Sequence, residues 1–191
     1  MFIVIEYVEG LNLYEYIEAL KEREMFIPQQ KFIQIILDLI SVLKYLHKDK
    51  AIVHKDLNPS NIMLSFDFKI VVTDFGLSHP IADLTRASRP DSFAGTLAYS
   101  SPEMVNNKFY TELCDIWSLG CIIYEILESK PAFTGNNPLL LARDISGCKY
   151  ERIVREKYRF LGKTGEKLID LVEMCLEEDV EKRINIKEIT R

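Results

Sequence analysis

Apolar residues recur every three or four positions over most of this chain, and that period belongs to helices. It runs briefly from Leu13 to Glu22. From Pro28 it lengthens: Phe32, Ile35, Ile36, Leu39, Ile40, Leu43 and Leu46 share one face, with Pro28 suited to the first turn. Between Thr111 and Glu128 the positions are apolar on most sides, which predicts a buried helix. Three more helices are predicted for Pro138 to Ser146, for Thr164 to Leu176 and from Ile186 onward.

Strand signals are few. "MFIVIEYVEG" reads as a strand that leaves a core and turns at Gly10, yet nothing earlier in the chain pairs with it, and a lone strand is not stable. Ile62 to Leu64 and Lys69 to Val72 read as short strands around a turn. Residues 77 to 101 are rich in Ser, Thr, Ala, Pro and Asp and have no sustained period. That predicts a long loop, which inside a compact domain is usually functional. The expected fold is mostly α (α+β), with a little strand around one polar stretch and no internal repeat.

Composition narrows the function. With 191 residues, 48% apolar and 28% charged, the chain suits one domain that buries roughly 70% of its unfolded surface. A net charge of -5 and the lack of a basic run give no footprint for nucleic acid. Phe2 to Tyr7 and Ile33 to Leu46 are too short or too charged to span a membrane, and the start lacks a signal-peptide plan. Cys114, Cys121, Cys148 and Cys175 are far apart, which reads as reduced thiols in an intracellular, cytoplasmic protein rather than a metal site. His47 and His79 are expected in solvent and His54 packed. The run "EEDVEKR" reads as a solvated helix junction apart from Arg183.

The polar stretch is "IVHKDLNPSNIML", residues 52 to 64. Turn chemistry accounts for Asn58, Pro59 and Ser60. It leaves unexplained an Asp followed by an Asn five residues later. A second acid, Asp74, follows the apolar "KIVVT" and precedes Phe75 and Gly76. A hairpin of the two short strands would return Asp74 beside Asn61. Such a pair offers hard oxygens that suit Mg²⁺ carrying nucleotide phosphates. Asp56 would then be free to orient a hydroxyl and accept its proton. The plainer alternatives are loop caps for the two acids, a turn residue for Asn61 and ordinary core packing for Met63.

Here the sequence resembles a family. "HKDLNPSN" is similar to the H-R-D-L-x-x-x-N loop of eukaryotic protein kinases, and "DFG" at 74 to 76 to their metal-binding motif. "SPE" at 101 to 103 resembles A-P-E, and "DIWSLG" at 115 to 120 resembles the opening of their buried helix. "FIVIEYVEG" resembles the hinge between the two lobes. The resemblance covers essentially the whole chain. Within it, "GTLAYSSPE" and "PAFTGNNPLLLARDISGCKYERI" look most like the never-in-mitosis-A-related (NIMA-related) serine/threonine kinases. "HKDLNPSNIML" with "VTDFGLS" is similar to the divergent tenth member of that family.

The resemblance implies ATP and Mg²⁺ as cofactors and protein hydroxyls as substrates. It implies Asp56 as the base, Asn61 and Asp74 as metal ligands, and Ile5, Glu6, Val8 and Met63 around adenine. Thr96 would bond Asp56 and help place the substrate hydroxyl. His54, Phe75, Gly76 and Asp115 would support the site, and Glu103 would pair with Arg183. Ser92 matches the family's phosphorylated position, which would make an upstream kinase a partner.

The chain departs from the family pattern in three places. Lys55 replaces the usual Arg, and an ammonium cannot grip a phosphate bidentately. Asn58 stands where serine/threonine kinases carry a Lys that touches the γ-phosphate. No Gly-rich phosphate loop, strand-borne Lys or partner Glu appears. The expectation is therefore residues 1–10 as hinge strand and hinge, 11–191 as the large lobe, no small lobe, and no activity for the fragment alone. A non-catalytic, pseudokinase-like binding module is the alternative. A small-molecule phosphotransferase also shares an H-x-D-x-x-x-x-N loop, but "SPE", "DIWSLG" and the long loop argue against it.

Overall fold

The computed structural model describes residues 6–25, 27–84 and 96–191. Ile5 and Ser92, singled out above, lie outside the described residues, as does the first half of the run that opens the chain. The described part is mostly α, with two small sheets beside the polar stretch.

Helix α1 (Leu13–Glu22) starts where its cap dictates. Asn12 accepts from the Glu15 amide at 2.8 Å, and Glu15 accepts from the Asn12 amide at 3.0 Å, a reciprocal capping box. Helix α2 (Gln29–Lys44) follows with Pro28 as its N-cap and buries Phe32, Ile35, Ile36, Leu39 and Leu43. It does not end cleanly. A π-helical turn, Tyr45–Lys50, widens the spiral and closes on Ala51 in the left-handed region, at φ 52°. That turn carries Leu46 and His47 into the interior, so His47 is buried and not solvated as the sequence suggested.

Helix α3 (Pro102–Val105) precedes α4 (Leu113–Glu128), which is the axis of the core. Every side chain from Cys114 to Leu127 is buried. It packs against α2 and against α6 (Gly162–Cys175). At Gly120 a Cβ would lie 2.6 Å from the Cys175 Cβ, so the close approach of α4 and α6 requires glycine there. Helix α5 (Pro138–Ser146) is capped by Asn137, and α7 (Ile186–Ile189) by a second Asn–Glu box.

The larger sheet has the order β1 (Gly10–Asn12), β3 (Ile62–Ser65), β4 (Ile70–Val72), all antiparallel. Residues 1–5 of the expected opening strand lie outside the described residues; residues 6–9 form no strand, and among the described residues pairing begins at Gly10 opposite Ser65. A Cβ on Gly10 would sit 2.1 Å from the Leu64 carbonyl oxygen, so only glycine lets the chain enter the sheet here. A second pair joins β2 (Ile52–Val53) to β5 (His79–Pro80). The two sheets bracket the polar stretch, which runs from β2 to β3.

Candidate active site

The loop from His54 to Asn61 is hung from α4 by one carboxylate. Asp115 Oδ2 accepts from the His54 amide and Oδ1 from the Lys55 amide, both at 2.9 Å. His47 Nε2 lies 2.8 Å from the same Oδ2, and both side chains are fully buried. The carboxylate can only accept, so Nε2 is the donor; His47 Nδ1 has no partner among the described residues. Lys55 is held at φ 73°, a left-handed conformation that costs a non-glycine residue about 1–3 kcal/mol. The paired grip of Asp115 on amides 54 and 55 offsets that strain.

His54 continues the chain of contacts. Its Nε2 lies 3.0 Å from the Thr73 carbonyl oxygen, and its Nδ1 receives the Asp56 amide at 3.3 Å. Those partners assign the Nε2–H tautomer. The ring meets Phe75 edge-on, with centroids 4.9 Å apart.

The Asp56 carboxylate accepts three hydrogen bonds from the described residues. Its Oδ1 accepts from Asn58 Nδ2 at 3.0 Å and from the Thr96 amide at 3.1 Å. Its Oδ2 accepts from Asn61 Nδ2 at 3.1 Å. The bond from Thr96 comes from its backbone, not its hydroxyl. Asn58 does not face outward: its Oδ1 caps the Ser60 amide at 3.0 Å and the residue is buried.

The β3–β4 hairpin brings the second acid round. Ile62 pairs with Val72, and Thr73 donates to the Asn61 carbonyl from its amide at 2.9 Å and its hydroxyl at 3.1 Å. Asp74 follows at once, exposed and left-handed at φ 61°, with Oδ1 accepting from the Gly76 amide at 3.2 Å. Asn61 turns its nitrogen toward Asp56, which leaves its oxygen as the group that can meet a cation. Two hard oxygens from neighbouring strand ends fit Mg²⁺, which takes the rest of its shell from water and phosphate.

Around this centre, the Lys55 ammonium stands over the buried Tyr110 ring, 5.3 Å from its centroid. Glu6 is exposed, while Val8 and Met63 are half-buried. Glu103 and Arg183 form a buried bidentate pair at 2.8 and 3.0 Å. Tyr99 donates to Glu125 at 2.5 Å, both buried. Burial pushes the Glu125 carboxyl above the ordinary range and the Tyr99 hydroxyl up as well. All four cysteines are free; burial raises their thiols, that of Cys175 to about 12, so they are poor nucleophiles.

The sequence reading missed His47, Tyr99, Tyr110 and Glu125. Two of them carried a signal. His47 lies four residues after Leu43, on the buried stripe of α2. Glu125 is a lone charge inside an apolar run.

The whole chain, residues 1–191, matches the family model for the protein kinase domain. It is 37% identical over 190 residues to the mouse serine/threonine-protein kinase Nek10, which covers 100% of this chain and 16% of that protein. The Caenorhabditis elegans serine/threonine-protein kinase D1044.8 is 36% identical over 193 residues, covering 100% of this chain and 18% of that one. Mouse 3-phosphoinositide-dependent protein kinase 1 is 37% identical over 152 residues, 80% of this chain and 26% of the relative. The chain therefore spans between 16% and 26% of the length of these curated relatives. The similarity to Nek10 agrees with the NIMA-related likeness of the loop motifs.

Proposed function

Because this chain belongs to the protein kinase domain family, we propose that residues 11–191 act as the large lobe of a serine/threonine kinase, with residues 1–10 as the hinge to a small lobe. Its substrates are protein hydroxyls and its nucleotide is ATP. The observation that carries the reading is the Asp56 carboxylate, held by three donors beside Asn61, with Asp74 returned to the same edge by the β3–β4 hairpin.

In this reading Asp56 orients the attacking hydroxyl and accepts its proton through Oδ2. Asn61 and Asp74 hold Mg²⁺, which when bound neutralises charge on the nucleotide phosphates. His54, Phe75, Gly76 and Asp115 keep the loop in place. Glu6, Val8 and Met63, with Ile5, line the adenine side. Lys55, and a phosphate added to Ser92 by an upstream kinase in the cytoplasm, tune the loop between 77 and 101. The 191 residues contain no Gly-rich loop and no strand lysine to clamp phosphate, so on their own they turn over little. A pseudokinase-like binding module is the second reading, favoured by the absence of a cation at Asn58.

The test compares two variants in the full natural chain. Asp74→Asn should abolish Mg²⁺-dependent nucleotide binding. Asp56→Asn should spare nucleotide affinity and remove turnover. Equal loss of binding in both would refute the assignment of roles. Turnover near 1 s⁻¹ by the 191 residues alone, a typical kinase rate, would refute their dependence on a small lobe. Nucleotide binding without turnover in the full chain would favour the second reading.

A further inference from the structure

We infer that Asn58 is a positioning residue that aims Asp56 and takes no part in holding phosphate; the inference rests on Asp56 as the base. Asn58 is 3% exposed. A side-chain amide has two N–H donors and one acceptor oxygen. The nitrogen donates to the Asp56 carbonyl at 3.1 Å and to Asp56 Oδ1 at 3.0 Å. The oxygen accepts the Ser60 amide at 3.0 Å. Both donors are spent inside the loop, and the oxygen would repel a phosphate rather than bind it.

The consequence falls on the carboxylate. An ionised carboxylate offers about four lone-pair sites, two on each oxygen. Asn58 and the Thr96 amide fill those of Oδ1, while Asn61 takes one on Oδ2. Oδ2 alone keeps a site for an incoming hydroxyl, so Asn58 helps to decide which oxygen meets the substrate. All three donors are neutral, so direction comes from hydrogen-bond geometry and not from a neighbouring charge. The cap on Ser60 has a second effect: it starts the tight turn Pro59–Asn61, which sets where Asn61 stands.

The experiment measures kcat and KM for ATP in the full natural chain, for the native protein, Asn58→Ser, Asn58→Asp and Asp56→Asn. Serine can keep the cap on Ser60 but is too short to donate to Asp56. Aspartate keeps the size and the cap but sets a second carboxylate against the first. The expected result is a kcat lowered about 10- to 100-fold by Asn58→Ser and further by Asn58→Asp, the scale of a small misplacement of a reacting group. KM for ATP should stay within about twofold, because an interaction made only in the transition state is lost. A rise in KM with kcat near native would mean that Asn58 holds nucleotide, and would overturn the inference. So would two variants that leave both constants unchanged. Thermal melting checks folding; if Asn58→Ser does not fold, Asn58→Asp decides alone, and a kcat within twofold of native refutes the idea. Native kcat in Asp56→Asn would be a separate failure, that of the base itself, and the inference would fall with it.

Discussion

Truncating Glu103 to Ala isolates a buried cation and tests how the segment after Thr96 is anchored. Arg183 has a fully buried side chain and that of Glu103 is 3% exposed. The guanidinium makes two bonds to that carboxylate, at 2.8 and 3.0 Å. Two more go to the carbonyls of Leu113 and Glu177, at 3.0 and 2.9 Å, and it rests over the Trp117 ring at 5.1 Å. Removing one partner of a buried pair costs about 3–5 kcal/mol. The two carbonyls and the indole still face the orphaned cation, which places Glu103→Ala at the lower end, about 3 kcal/mol. A chain of this length has a urea slope near the upper end of about 1–3 kcal/mol/M, so the midpoint should fall by about 1 M. Trp117 is the one tryptophan of the sequence and reports on this neighbourhood; circular dichroism gives an independent curve. The double variant Glu103→Leu with Arg183→Met should recover most of the loss, because an apolar pair needs no desolvation of charge. A midpoint shift under about 0.3 M for Glu103→Ala, at unchanged slope, would refute the reasoning.

His47→Phe should cost about 1.5–3 kcal/mol, since it strips a donor from the buried Asp115 carboxylate; a urea midpoint equal to native would show that the two amides suffice. Glu125 adds a pH dependence. Burial raises its carboxyl in the folded state, so the stability tied to its proton is fully present below the ordinary carboxyl value of 4.5 and is lost as pH rises through the folded value. Glu125→Gln should therefore flatten the fall of melting temperature above pH 4.5, and parallel curves for variant and native would count against a buried, raised carboxyl.

Much of the helical framework can be read directly from the chain. The bounds of α1 follow from Asn12 and Glu15, and those of α5 from Asn137 and Pro138, because a cap is a local event between residues three apart. The burial of α4 is legible because nearly all its sides are apolar. The hairpin that returns Asp74 to Asn61 is legible too, since two apolar runs flank one turn. What escapes is whatever depends on distant partners. The strand at Gly10 is three residues long and owes its existence to the Leu64 carbonyl, more than fifty residues away in sequence. The pairing of Ile52 with Pro80 is shorter still and also joins residues far apart in sequence, though less far than Gly10 and Ser65. His47 falls on the stripe of Leu43, but an imidazole at a helix end reads as solvent-facing by residue type; the π turn that seats it against Asp115 is a tertiary outcome. Asn58 stands where the resemblance puts a Lys that touches phosphate, and the loop's own geometry turns it inward.

The grip of Asp115 also sets how stiffness is shared across the candidate site. The amides of His54 and Lys55 are tied to a carboxylate inside the most buried helix, so they open only when α4 leaves the core and the whole domain comes apart. The amide of Gly76 is tied to Asp74, itself exposed, and opens by a local excursion of a few residues. The Asp56 side of the site is therefore tied to the global fold, while the Asp74 side is held by local bonds alone and is the more compliant of the two.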